Sequence, residues 1–227
     1  QLALAGYYDT KDTFTATGTL PLGESSIRTE NMLKEPVALA YANNLGEVGD
    51  KTVCDYVMLG YDDIYSIQYF GQNLRPYWNR TGQNSITREL KAAADNYNPT
   101  LKRCEEFDRQ LMQTTEKAGG RKYAELCALA YRQSIAAHKL VESPDGELLW
   151  FSKENFSNGS VDITYPSAPL YLLYNPELVK GMLNHIFYYS ESGRWTKPFA
   201  AHDVGTYPMA NGQTYGGDMP VEESGNM

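Results

Sequence analysis

The sequence predicts an α+β protein with its strands first and its helices after. Three observations carry this: short alternating apolar runs broken by Gly and Asp up to about residue 80, a composition shift after RPYWNRTGQN, and apolar residues recurring at three- and four-residue steps beyond Ser85. Two parts are expected, residues 1–80 and 81–227. At 227 residues, 42% hydrophobic and 21% charged, the chain buries a real core in one large domain or two smaller ones.

In the first part TFTATGTLPLG alternates around Phe14 and Ala16, and DYVMLGYDDIYSIQYFG carries Val57, Leu59, Ile64, Ile67, Tyr69 and Phe70. Both read as strands between Gly and Asp turns. A sheet this small leaves faces and edges open, so it should pack on the helical half or on further sequence. Helices are predicted over SITRELKAAADNY, PTLKRCEEFDRQLMQTTEKA and GGRKYAELCALAYRQSIAAHKLVE. In the third, Leu126, Leu129, Ala130, Gln133, Ala136, Ala137 and Leu140 form a nearly apolar face. Gly119 and Gly120 stop one helix and reverse the chain, which gives an antiparallel helical hairpin. After the turn SPDGE, the stretch LLWFSKENFSNGSVDITYPSAPLYLLYNP is loop-like in its Asn, Gly, Ser and Pro but too aromatic for a floppy linker. Pro176 then opens a fourth helix with Leu178, Met182, Leu183, Ile186 and Phe187 on one stripe.

The net charge of −8 and the absence of any basic run exclude a phosphate-tracking nucleic-acid binder. No apolar stretch approaches the roughly 20 residues that span a bilayer, and no signal peptide is visible, so a soluble chain is expected. The start at Gln1 and the stop at Met227 read as cuts in a longer protein, whose remainder is then a partner of this part. Cys54, Cys104 and Cys127 are odd in number and lack ligand spacing. They are expected to be buried apolar fillers, with one bridge left open. No Walker loop, dinucleotide glycine fingerprint, nucleophile elbow or His-Glu-x-x-His pair occurs, so no cofactor and no metal are assigned.

The candidate chemistry lies in RWTKPFAAHDVGTYPMANGQTYGGDMPVEESGNM. It joins a His202–Asp203 pair, a Gly/Asn/Tyr-rich loop and a Glu222–Glu223 pair, and beyond Lys197 it holds no Lys or Arg. Two acids across a dry cleft cannot both stay ionised cheaply, so one serves as acid and the other as base or nucleophile. Asp203, Glu222 and Glu223 are therefore the candidate catalytic groups. Blander readings stand beside this: an acidic first helical turn for both glutamates, a core or surface histidine for His202, and an N-cap or Asx-turn for Asp203. The candidate substrate-binding residues are His202, Tyr207 in the same loop, Asp162 in an aromatic, proline-bearing loop, and Arg75 and Trp78 of LRPYW. Asp162 suits orienting a hydroxyl or amine, or else caps a turn. Arg75, Tyr77 and Trp78 form either a stacking wall or a plug at a domain junction. Lys153, Glu154 and Asn155 either reach the same mouth or form a solvated turn. Three triplets, at Asn79, Asn155 and Asn158, fit the glycosylation pattern.

The strings LRPYW, AGGRKYAELCALAYRQSI, LLWFSKENFSNGSVDITYPSAPLYLLYNPELVKGML, RWTKPFAAHDVGTYP and MPVEESGNM together resemble the middle of a glutaminase A type protein, over roughly residues 35–227. The family is known from secreted fungal glutaminases and from Bacteroides-like bacteria. The resemblance implies the tail of a β-sandwich-like domain, then the first hairpins of a six-hairpin (α/α) toroid, a scaffold shared with many glycoside hydrolases. About four of the toroid's twelve helices are expected here, so any active site in this chain would be half built. The family's His-Asp and Glu-Glu motifs fall on His202, Asp203, Glu222 and Glu223, and a further family acid falls on Asp162. Ser224 stands where many relatives have Cys, which argues against a cysteine nucleophile at that position.

The leading expectation is thus a hydrolase of the L-glutamine side-chain amide. Glu222 or Asp203 would activate water, its partner would protonate ammonia, and Glu223 and Asp162 would bind the substrate ammonium. A glycoside hydrolase on the same carboxylates and a non-catalytic carbohydrate- or peptide-binding module are the alternatives. The resemblance further implies export, to the periplasm or the extracellular space.

Overall fold

A computed structural model describes residues 1–22, 33–34, 36–47, 49–153 and 158–227. It divides into two units, Gln1–Val57 and Met58–Met227. In the first, β1 (Leu2–Gly6) pairs antiparallel with β2 (Val37–Tyr41) in the register Leu2↔Tyr41 to Gly6↔Val37. Between them in sequence lies α1 (Tyr7–Thr17), where alternation around Phe14 and Ala16 predicted a strand. Threonine-rich sequence has little preference of its own, and here the Thr15 and Thr17 hydroxyls donate back to the carbonyls of Lys11 and Thr13. Gly18, at φ +68°, ends the helix and gives its N–H to the Phe14 carbonyl.

The second unit holds the helices and the candidate site. Its first strand, β3 (Ile67–Tyr69), starts later than the sequence predicted. The Asp62 side chain accepts the N–H of Ile64, which sits at φ +59°, and this turn breaks the run that carries Leu59 and Ile64. Phe70 and Gly71, both at positive φ, make the two-residue turn into β4 (Gln72–Leu74), with Tyr69 opposite Gln72. A 3-10 turn, Tyr77–Asn79, leads to α2 (Ile86–Asp95), capped by the Ser85 hydroxyl accepting the Arg88 N–H. The expected boundary between residues 80 and 81 falls in this stretch, inside the second unit.

The helical hairpin is α3 (Tyr97–Gly119) against α4 (Arg121–Ala136), reversed at Gly120, whose φ is +81°. The face of α4 that packs differs from the predicted one. Leu126 and Leu129 are 62% and 51% exposed, while Tyr131 meets Phe107 and Tyr174 at ring distances of 5.0 and 5.4 Å. Three large rings outweigh a stripe diluted by three alanines and a glutamine. The helix also stops sooner than predicted. Leu140 lies in β5 (His138–Glu142), opposite Trp150 of β6 (Leu148–Ser152), because the Ser143–Glu147 turn closes a β-hairpin around Gly146.

The aromatic stretch after this hairpin is largely α5 (Val161–Tyr174), despite Pro166 and Pro169 inside it. Those prolines have no N–H to give to the carbonyls of Asp162 and Tyr165. The fourth predicted helix is α6 (Pro176–Glu191), with proline in its first turn. A short β7 (Met209–Ala210) pairs parallel with β3, and α7 (Pro220–Asn226) ends the chain as described. The core beneath the site gathers Ile67, Tyr69, Phe151, Val161, Ile186 and Val204 from five segments. The chain is therefore of mixed helix and sheet, and among the described residues no helix is long and apolar enough to cross a membrane.

The cysteines depart from expectation. Cys54 and Cys104 are exposed and Cys127 is half-buried, and none is bridged. Two glycosylation triplets are closed in the folded chain, since Asn79 is 4% and Asn158 0% exposed. The third, at Asn155, and with it Glu154, lies outside the described residues.

Candidate active site

The loop from His202 to Tyr215 is tied down by one carboxylate. Asp203 is fully buried, and its two oxygens accept the backbone N–H groups of Gly205, Thr214 and Tyr215 at 2.8, 2.9 and 3.1 Å. The Asx-turn reading of Asp203 thus describes part of what it does, because the Gly205 bond has that form. Gly205 is required at this turn. At φ +140°, an added Cβ would lie 2.1 Å from the Met209 carbonyl oxygen.

Asp203 also fixes its neighbour. Its Oδ2 lies 2.9 Å from Nδ1 of His202, so the Nδ1–H donates to the carboxylate and Nε2 faces the other way. The ring, 8% exposed, stacks on Tyr215 at 4.1 Å. Backbone bonds pin both sides: His202 donates to the Gln213 side chain, and its carbonyl accepts from Val161 at the start of α5.

Two carboxylates from two helices face Nε2. Asp162, in the first turn of α5 and not in a loop as predicted, brings Oδ2 to 3.8 Å. Glu223, in the first turn of α7, brings Oε1 to 3.9 Å. The three atoms lie within 4.8 Å of one another. The Ser160 hydroxyl donates to the other oxygen of Asp162. Glu223 is fully buried, and neither of its oxygens has a hydrogen-bond partner at ordinary distance, although the Asn226 side chain is near enough to lower its carboxyl. Burial pushes its carboxyl up to about 6, helped by the charges of Asp162 and Glu222 and opposed by His202 and Asn226.

The other sequence candidates lie elsewhere. Glu222 is exposed, one residue from Glu223 but on the outer side of the same turn. Arg75 lies over the Tyr65 ring at 5.1 Å, and Trp78 sits half-buried in the 3-10 turn, where its carbonyl accepts from Asn84. Burial raises the Tyr207 hydroxyl, and the charges it feels are Lys139 and Asp63. Lys153 is lowered by burial and then by Lys139. The sequence reading missed Thr214, Tyr215 and Ser160. The signal for the first two was the NGQTYGG stretch, read as loop composition but not as the backbone that holds Asp203.

Residues 120–227 match a family model described as the Glutaminase A six helical-hairpin domain, and residues 2–114 match one described as a domain of unknown function, DUF5127. Glutaminase A of Aspergillus oryzae is 32% identical over 199 residues, covering 83% of this chain and 28% of that protein. A protein of Arthroderma benhamiae named probable glutaminase is 34% identical over 127 residues, covering 53% of this chain and 15% of that protein. No solved structure matches significantly. The chain thus spans under a third of these relatives, and the site described above lies within the six-hairpin match. By these matches the chain is similar to a part of the glutaminase A-like proteins.

Proposed function

We propose that the site hydrolyses the side-chain amide of L-glutamine to glutamate and ammonia within the whole protein. The observation that carries this is the convergence of a carboxylate-held imidazole and a buried, unpartnered carboxyl on one point. Water attacks the amide carbon while His202 Nε2 takes its proton, and Asp203 steadies the imidazolium that forms. Glu223, protonated, gives its proton to the amide nitrogen as the C–N bond breaks and ammonia leaves. The proton on His202 then returns to Glu223 across 3.9 Å, and the site is reset. Asp162, half-buried, receives the substrate's ammonium group. In this scheme Asp203 is a positioning residue and Glu222 has no proton to move, which reverses the roles that spacing alone favoured.

The scaffold in this reading is the tail of a β-sandwich followed by the first hairpins of an (α/α) toroid, working outside the cytoplasm. A second reading, glycoside hydrolysis, is favoured by one observation: Asp162 and Glu223 bring oxygens within 4.8 Å, close to the about 5 Å of a retaining pair. The experiment is ammonia release from L-glutamine by the full-length protein, beside aryl glycosides. Release that falls at least about 100-fold in Glu223→Gln supports the amidase. Liberated aryl alcohol without ammonia supports the glycosidase, and saturable binding without either product rejects both.

A further inference from the structure

We infer that Asp162, His202 and Glu223 form a binding site for one divalent transition-metal ion of the zinc class, and that the bound ion switches hydrolysis off. The binding stands on geometry alone; the inhibition rests on the acid/base reading given above.

The donor set is one imidazole nitrogen and two carboxylate oxygens, a mixture that suits zinc or cobalt better than calcium or magnesium. Its combined charge of −2 offsets that of the ion. Zinc holds such atoms at about 2.0–2.2 Å, which places neighbouring ligand atoms roughly 3.0–3.5 Å apart. His202 Nε2 stands 3.8 Å from Asp162 Oδ2 and 3.9 Å from Glu223 Oε1. Closing the two gaps to His202 takes about half an ångström each by that standard, and the two carboxylate oxygens, within 4.8 Å of each other, must approach by up to roughly 1.5 Å, the reach of a side-chain rotation. Three ligands leave a further position for water.

The surroundings are built as metal sites are built. A ligating histidine characteristically gives its other N–H to a carboxylate that fixes tautomer and ring, and here Asp203 does so from a cradle of three backbone N–H groups. Ser160 holds one Asp162 oxygen and leaves Oδ2 directed at His202. Glu223 is the independent sign. A fully buried carboxyl with no hydrogen bond to either oxygen at ordinary distance, and only the neutral Asn226 amide nearby besides His202, lacks a fixed partner of opposite charge, and among the described residues no Lys or Arg pairs with any of the three. A cation at the centre supplies it.

An ion there occupies His202 Nε2 and Glu223, the two groups that move protons in the proposed hydrolysis. Ammonia release should therefore fall as zinc fills the site. The test uses full-length protein stripped with chelator, titrated with zinc chloride by calorimetry and with cobalt(II) by its visible absorption. One ion per chain with a Kd in the micromolar range or tighter is expected. Glu223→Gln and Asp162→Asn should each weaken it at least about 100-fold, and Asp203→Asn about 10- to 100-fold. Circular dichroism without metal checks that each variant folds. Asp162 is half-buried at a helix start, so its variant keeps the test decisive where Glu223→Gln fails to fold. Absence of cobalt bands and of zinc heat in the folded wild type overturns the site, as does binding that the Asp162 variant leaves unchanged. Stoichiometric zinc that raises ammonia release supports the site and overturns the inhibition together with the acid/base scheme. Zinc bound by a protein that releases no ammonia supports the site and rejects only the glutaminase reading.

Discussion

His185 should make the second unit acid-sensitive. It is fully buried in α6, stacked on Phe151 at 4.6 Å, and both ring nitrogens lack a hydrogen-bond partner. Gly159 packs so tightly on the ring that an added Cβ would lie 2.2 Å from it. Burial, with His138 as a lesser influence, pushes its titration down to about 3, whereas an unfolded histidine titrates near 6.5. Above 6.5 both states are neutral and the group is silent. Below it only the unfolded chain takes up a proton, so stability falls as the pH drops from 6.5 towards about 3, at about 1.4 kcal/mol per unit. Between pH 7 and 5 the loss comes to about 2 kcal/mol, a large share of a typical domain's stability. Leucine is close to histidine in volume and removes two unpaired polar atoms, so His185→Leu should leave stability at pH 7 within about 1 kcal/mol. The assay is urea unfolding followed by tryptophan fluorescence, which reports this unit because Trp78, Trp150 and Trp195 all lie in it. Wild type minus variant should shrink by about 2 kcal/mol from pH 7 to pH 5. Parallel curves for the two proteins across that range would refute the reasoning.

Three further outcomes are expected. Gly205→Ala should cost more than about 2 kcal/mol in the same urea assay, because its Cβ meets a backbone carbonyl at a φ that alanine avoids. Phe151→Ala should cost about 3–5 kcal/mol, since the ring is fully buried between Tyr69 and His185, and a drop in urea midpoint at unchanged slope is the check. Asp203→Asn in the full-length protein should lower kcat for ammonia release about 100-fold or more with KM nearly unchanged, because it alters which His202 nitrogen carries the proton and leaves substrate contacts alone. A change confined to KM would contradict that role.

Where the sequence was legible, a strong local signal met no competitor. Ser85 before an amphipathic run, the glycine pair at 119–120 and Pro176 at a helix start each act within one turn, and α2, the α3–α4 reversal and α6 follow them. Where it was not, distant groups decided. Leu140 continues the three-and-four spacing of α4, yet the turn at Ser143–Glu147 and the partner strand carrying Trp150 draw it into a sheet. The segment around Phe14 alternates as a strand does, yet forms a helix. Val161–Tyr174 conceals a helix behind two prolines, and its start is pinned by the carbonyl of His202, forty-one positions on. Spacing along a chain carries no trace of such bonds.

The same limit governs the site. Residue types named Asp162, His202, Asp203 and the Glu222–Glu223 pair, but a linear motif cannot say which of two adjacent glutamates is inside. On a helix, neighbours point about 100° apart, so if one is buried its neighbour turns towards solvent. Glu223 is buried and Glu222 is exposed. Their chemistry diverges from that point. The exposed carboxyl is solvated, while burial pushes the other up to about 6 beside a histidine whose other nitrogen is already committed. Asp203 shows the converse. It has the right type and place for an acid or base, but its two oxygens are already engaged by three backbone N–H groups and by His202. A carboxylate so engaged is placed to hold a neighbour, and here that neighbour is His202.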